Sequence, residues 1–138
     1  MDYILIVEDE MIPGDSLKLR VEGIIAAFGM DCRVEIVETV EAARAALEQE
    51  HPVVILLDIM LPKREGEDID WDAGIKFARD LLKTHPGIPI IVITGRGDDS
   101  AAEQARQLDN VKHFFRKPMP GLDFREALKG ILEGKTDE

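Results

Sequence analysis

Two rhythms of apolar and polar positions alternate along this chain. Tyr3-Ile4-Leu5-Ile6-Val7, Val53-Val54-Ile55-Leu56-Leu57 and Ile90-Ile91-Val92-Ile93 are short unbroken apolar runs. Continuous, mostly branched runs of this length predict strands buried on both faces. Weaker runs at about Arg33 to Val37 and at His113-Phe114-Phe115 bring the number of predicted strands to five.

The intervening stretches carry the spacing of helices with one apolar face. Leu17, Val21, Ile24, Ile25 and Phe28 form the first such face, and Gly29 offers a stop. Thr39 is placed to cap a second helix with Val40, Ala43 and Leu47 inward, ending before Pro52. Ile75, Ala78 and Leu82 mark a third helix, stopped near His85-Pro86-Gly87. Asp98, Asp99 or Ser100 can cap a fourth with Ala101, Ala105 and Leu108 inward. Phe124, Ala127, Leu128 and Ile131 form the face of a fifth, and residues 134–138 read as a short polar tail. Strand then helix, five times over with no hairpin between strands, predicts an α/β fold: a doubly wound parallel sheet covered by helices on both faces.

Composition narrows the picture. A chain of 138 residues suits one domain, able to bury roughly 68 % of its unfolded surface. With 17 basic against 28 acidic residues the net charge is −11, which argues against nucleic acid as the main partner. The one cysteine, Cys32, excludes a disulfide or a cysteine zinc site within the chain and suits a reducing cytoplasm. No apolar stretch approaches the length of a membrane span, and no signal peptide is evident.

The strand ends carry the chemistry. In an open parallel sheet, ligands bind beyond the carboxyl ends of the strands. There the first run leads into Glu8-Asp9-Glu10, the third into Asp58, the fourth into Thr94, and the last through Arg116 into Lys117-Pro118. Clustered carboxylates suit a hard divalent cation such as Mg2+. A carboxylate beside such an ion can attack a phosphoryl group, with Thr94 as a hydroxyl donor and Lys117 neutralising the developing charge. Taken singly, each has a plainer explanation: a solvated acidic loop, a strand-end cap, β propensity, a surface charge. Together at four strand ends they point to one pocket.

These residues, Glu8-Asp9, Leu57-Asp58-Ile59-Met60-Leu61-Pro62, Thr94-Gly95 and Lys117-Pro118, resemble the response regulator receiver domain of two-component signalling, in order and spacing over about Asp2 to Leu132. The resemblance implies a flavodoxin-like sheet of order 2-1-3-4-5 and a receiver domain over 1–133. It implies Asp58 as phosphoacceptor, Thr94 and Lys117 as phosphoryl-binding groups, and Mg2+ held by Glu8, Asp9, Asp58 and the backbone carbonyl of Met60. It also implies Phe114, three residues before Lys117, as the aromatic that moves with Thr94 when the site is phosphorylated. The expected partners are a histidine kinase or histidine phosphotransfer protein and a downstream protein, with a homodimer on phosphorylation left open. No enzymatic turnover is expected beyond self-phosphorylation from a donor and autodephosphorylation.

The chain departs from the family pattern in three places. Pro62 and Gly74 are twelve positions apart, about eight more than the resemblance leads one to expect. The added stretch, 63–73, holds Glu65, Glu67, Asp68, Asp70 and Asp72 around Trp71, and reads as a solvated insertion or a docking loop. At the site's rim stand Met60, expected to limit the approach of hydrolytic water, and Arg96, within reach of the phosphoryl group or the insertion. Third, Leu108-Asp109-Asn110-Val111 replaces the family's small-residue turn. His51, His85 and His113 are not spaced for metal binding or a catalytic triad. Two other readings of the same residues are a haloacid dehalogenase-type phosphatase, which needs a second Asp where Met60 stands, and an unphosphorylated adaptor.

Overall fold

A computed structural model describes residues 2–8, 11–59, 61–62, 64–66, 68–70, 73–95, 99–116 and 121–136; the side chains of 11–16, 61–62, 69–70, 99, 101 and 135–136 lie outside that description. The elements are β1 (Asp2–Val7), α1 (Met11–Ala27), β2 (Cys32–Val37), α2 (Val40–Gln49), β3 (Val54–Leu57), β4 (Leu61–Pro62), β5 (Ile69–Asp70), α3 (Ala73–Thr84), β6 (Ile90–Thr94), α4 (Asp99–Arg106), β7 (Val111–Arg116) and α5 (Gly121–Thr136). Five of the strands form one parallel sheet in the order β2-β1-β3-β6-β7. Counted along the chain, that is 2-1-3-4-5, the order expected.

Alternation along the strands builds two cores. Tyr3, Leu5, Val7, Ile55, Leu57, Ile90 and Val92 face α2, α3 and α4, where they meet Val40, Ala43, Leu47, Phe77, Leu81 and Ala105. Ile4, Ile6, Val54, Leu56, Ile91 and Ile93 face the other way, onto Leu17, Val21, Ile24 and Ile25 of α1 and Phe124, Leu128 and Leu132 of α5. Both faces of the central strands are therefore apolar, which is why they read as unbroken runs rather than as an alternating pattern.

Local chemistry sets the helix ends. Thr39 is extended at φ −137° and its hydroxyl accepts from the Ala42 amide at 3.1 Å, capping α2 as predicted. After α1, Gly29 takes φ +68°. The Met30 amide then reaches the Ile25 carbonyl and the Gly29 amide the Ala26 carbonyl, both at 3.1 Å, the paired bonds of a Schellman stop. At the start of β1 the Tyr3 hydroxyl donates to the Glu50 carbonyl at 2.6 Å. Arg33 bonds the carboxylates of Glu35 and Glu50 nearby, and its hydrogen bond holds the Glu50 carboxyl below the ordinary range.

Some expectations shift. On α3 the buried positions include Phe77 and Leu81, while Leu82 is only half-buried. The helix is turned so that its large aromatic faces the sheet. Ala102 is buried on α4 in addition to Ala105. Helix α5 runs on to Thr136, through part of the stretch expected as a polar tail. The insertion before α3 contains an antiparallel pair, Leu61 opposite Asp70 and Pro62 opposite Ile69, with Gly66 at φ +83° between its strands. Trp71 lies outside the described residues.

Replacing Gly29 by Ala places a Cβ in the left-handed region and should destabilise the fold by about 1 kcal/mol net of the gain in unfolded-state stiffness. A lowered urea midpoint at unchanged slope is the expected reading.

Candidate phosphoacceptor site

Strand register brings the acidic side chains together. Val7 lies opposite Leu57 across the β1–β3 pair, so the next residues, Glu8 and Asp58, leave the sheet as lateral neighbours. Backbone bonds hold both positions: the Glu8 amide donates to the Val37 carbonyl and the Asp58 amide to the Val7 carbonyl, each at 3.0 Å. Both side chains are buried, Glu8 at 2 % and Asp58 at 7 % exposure. On the other flank of β3, Leu57 lies opposite Val92. Two residues further on, the buried Thr94 hydroxyl donates to Asp58 Oδ1 at 3.1 Å. Thr94 is thus more than a β-branched strand residue.

Asp58 is also fixed from below. The Gly74 amide donates to the Ile59 carbonyl at 3.0 Å. A Cβ at Gly74 would overlap Ile59 Cα and would stand 2.8 Å from the Asp58 carbonyl oxygen. Only glycine allows α3 to begin this close to the Asp58–Ile59 backbone. The insertion is accommodated because the chain returns to the same point: it leaves after Ile59, forms the β4–β5 pair, and comes back at Gly74. Exposed Arg64, from within the insertion, pairs with Glu41 of α2 at 3.4 Å.

Phe114 lies opposite Val92 on β7 and packs, half-buried, against the core beneath α3 and α4. Two guanidinium groups cover its ring: Arg106, in the last turn of α4, at 5.3 Å and Arg116 at 5.7 Å from the ring centre. Neither arginine was singled out from sequence: Arg106 is eight positions from Phe114 and carries no local signal, and Arg116, two positions on along the same strand, read as a link to Lys117. Asn110 was also missed in this respect. It is buried, and its amide donates to the Ala78 carbonyl at 3.0 Å, tying the α4–β7 connection to α3.

Of the expected site residues, the structure brings Glu8, Asp58 and Thr94 to one end of the sheet and sets Phe114 on the neighbouring edge strand. Asp9, Met60, Arg96 and Lys117 lie outside the described residues. The donor set that is described, two buried carboxylates on adjacent strands with no sulfur or imidazole, suits a hard, oxygen-seeking cation. Among the described residues no group of three His, Cys, Asp or Glu side chains could by itself hold a metal, and the two remaining expected donors, Asp9 and the Met60 carbonyl, are not among them.

The response regulator receiver domain family matches residues 4–129, and the chain belongs to that family. The transcriptional regulatory protein DegU of Brevibacillus brevis is 27 % identical over 87 % of this chain and 48 % of its own length. A protein-glutamate methylesterase/protein-glutamine glutaminase of Rhodopseudomonas palustris is 34 % identical over 86 % of this chain and 30 % of its own. The chain therefore spans about half or less of these relatives. A CheY-like receiver domain from Methanospirillum hungatei superposes with a TM-score of 0.76 over 100 % of this chain and 99 % of that one, at 24 % identity. The receiver domain of an HD domain-containing protein from Pseudomonas fluorescens gives 0.80 over 99 % and 98 %, at 16 % identity. Membership of the receiver family removes the dehalogenase-type reading of Asp58.

Replacing Gly74 by Ala should destabilise the fold by about 1–3 kcal/mol, the usual cost of forced overpacking, and should displace the Asp58–Ile59 backbone. Urea unfolding measures the first effect, and the Asp58 amide chemical shift in the folded variant the second.

Proposed function

We propose that the chain is a phosphorylation-operated signalling switch, with Asp58 accepting a phosphoryl group from the phosphohistidine of a histidine kinase or histidine phosphotransfer protein. The observation that carries this reading is the buried hydrogen bond from Thr94 Oγ1 to Asp58 Oδ1. It places a hydroxyl donor on the Asp58 carboxylate, at the end of the sheet where receiver domains carry their acceptor.

An Asp58 oxygen attacks phosphorus as the bond from phosphorus to the donor imidazole nitrogen breaks, and that nitrogen keeps the bonding pair. Thr94 then donates to a phosphoryl oxygen instead of to the carboxylate. Lys117, which directly follows the residue opposite Thr94 in the β6–β7 register, is the cation assigned to a second phosphoryl oxygen. Glu8 and Asp58, with Asp9 and the Met60 carbonyl, would hold Mg2+. When bound, that ion supplies neutralisation of the phosphoryl charge.

The phosphoryl group carries about two negative charges in place of the single carboxylate charge, and its three acceptor oxygens draw Thr94 toward it, so that space opens beside it for Phe114. Turning Phe114 inward breaks its contacts with Arg106 and Arg116, so the two guanidiniums favour the resting position. Each such contact at an exposed site stabilises by about 0.5–1 kcal/mol. The output is an altered surface around β6, α4 and β7, read by another protein, or a phosphoryl group handed to a further histidine. Among the described residues no helix is long and apolar enough to cross a membrane, in keeping with a cytoplasmic setting.

Incubation with acetyl phosphate and Mg2+, followed by a phosphate-retarding gel, should show saturable labelling of at most one phosphate per chain, abolished in Asp58→Asn. Unlabelled wild-type protein under these conditions would establish the unphosphorylated adaptor instead. Removing a contact of that strength through Arg106→Ala should raise the labelling rate roughly two- to fivefold. Met60→Asn should shorten the lifetime of the labelled form, read as its decay rate after donor removal; an unchanged rate removes Met60 from control of hydrolysis.

A further inference from the structure

The edge strand β7 reverses the sign of the chain's charge. In a protein with 28 acidic residues and a net charge of −11, no Asp or Glu stands between Asp109 and Asp123, while Lys112, Arg116 and Lys117 all fall there. Beyond the irregularity at the start of the β6–β7 pairing, alternation puts Phe114 and Arg116 on one face of the strand, the face turned toward α4. Arg106 reaches the same ring from the last turn of α4. Both arginines are exposed and the ring between them is half-buried.

Two guanidinium groups gathered on one ring repel each other, and the ring's negative face offsets that repulsion. Contact with a ring face does not by itself use up the in-plane N–H groups, which bind a carboxylate two at a time. Among the described residues the Arg106 side chain has no ion-pair partner, although Glu103 lies one turn earlier on the same helix. Phe114 thus mounts two planar donors at set places on the surface. Donors positioned in advance lose less conformational entropy when a ligand arrives.

We infer that Arg106 and Arg116, mounted on Phe114, form a docking site for an acidic segment of another protein, and that the site is assembled in the resting position. Its dependence on phosphorylation rests on the switch reading above. When Phe114 turns inward the arginines lose their mount, so the unphosphorylated chain holds the partner and phosphorylation releases it. By linkage, a bound partner stabilises the resting position to the same degree. Nucleic acid, the other polyanion, is disfavoured because the chain's net negative charge opposes a long phosphate backbone, whereas a short acidic segment need meet only this face.

The test is an NMR titration of the full 15N-labelled chain with an acetylated and amidated hexaglutamate peptide at low ionic strength. Saturable shifts should centre on the amides of Arg106 and of residues 114–116. Arg106→Gln and Arg116→Gln should each weaken binding about two- to fivefold, as loss of an exposed ion pair does. Phe114→Leu leaves every charge in place and should weaken it about twofold or more through loss of the ring. Lys18→Gln, on α1, should bind as the wild type does. Acetyl phosphate and Mg2+ should lower the affinity of the wild type and leave that of Asp58→Asn unchanged. Shift dispersion confirms that each variant is folded. Wild-type affinity in folded Phe114→Leu, shifts centred elsewhere, tighter binding of a DNA hexanucleotide, or tighter binding after phosphorylation overturns the assignment. A chain that takes no label fails the switch reading alone, and the Arg106, Arg116 and Phe114 variants still decide the docking site.

Discussion

The register of β1 on β3, Val7 opposite Leu57, is the constraint from which the rest of the site follows. A parallel sheet with both faces covered has no freedom to slide, because a shift of one residue would turn every apolar side chain onto the wrong face. Two cores built from opposite parities of the same strands lock the register twice over. Glu8 and Asp58 are thus delivered side by side into a buried position by the packing of residues that never touch a ligand. Two carboxylates brought to adjacent strand ends in this way are a donor set that suits a hard cation.

Thr94 and Phe114 extend the same logic across the sheet. Val92, the residue in register with both Leu57 and Phe114, joins the acceptor strand to the edge strand, and Thr94 lies two positions beyond it. Thr94 itself lies opposite Arg116, two positions beyond Phe114 on the edge strand. The guanidinium groups of Arg106 and Arg116 give the aromatic a preferred resting place.

Most of this was legible from the chain alone, for a physical reason. Unbroken branched runs such as Val53 to Leu57 have one good solution, a central strand, and the residue types at their ends then stand out against an apolar background. Asp58 and Thr94 were visible in that way. What was hidden depended on tertiary placement. Leu82 and Leu81 are neighbours, and the choice between them rests on where Phe77 fits. The β4–β5 pair is too short for any periodicity to show. Asn110 read as an ordinary polar loop residue, although its amide is buried against Ala78. The rings of His51 and His85, 34 positions apart by their numbers, meet edge to face only because β3 and β6 are adjacent in the sheet.

The return of the chain to Ile59 at Gly74 has a consequence for how this domain tolerates change. An excursion that closes on its own starting point costs the fold little more when it is lengthened, since closure entropy grows only with the logarithm of the number of residues. The segment between those two anchors is thereby uncoupled from the geometry it interrupts. It can differ from one receiver to another in size and charge as a graft would, while the carbonyl of Asp58 stays pressed against a glycine that has no room to become anything else.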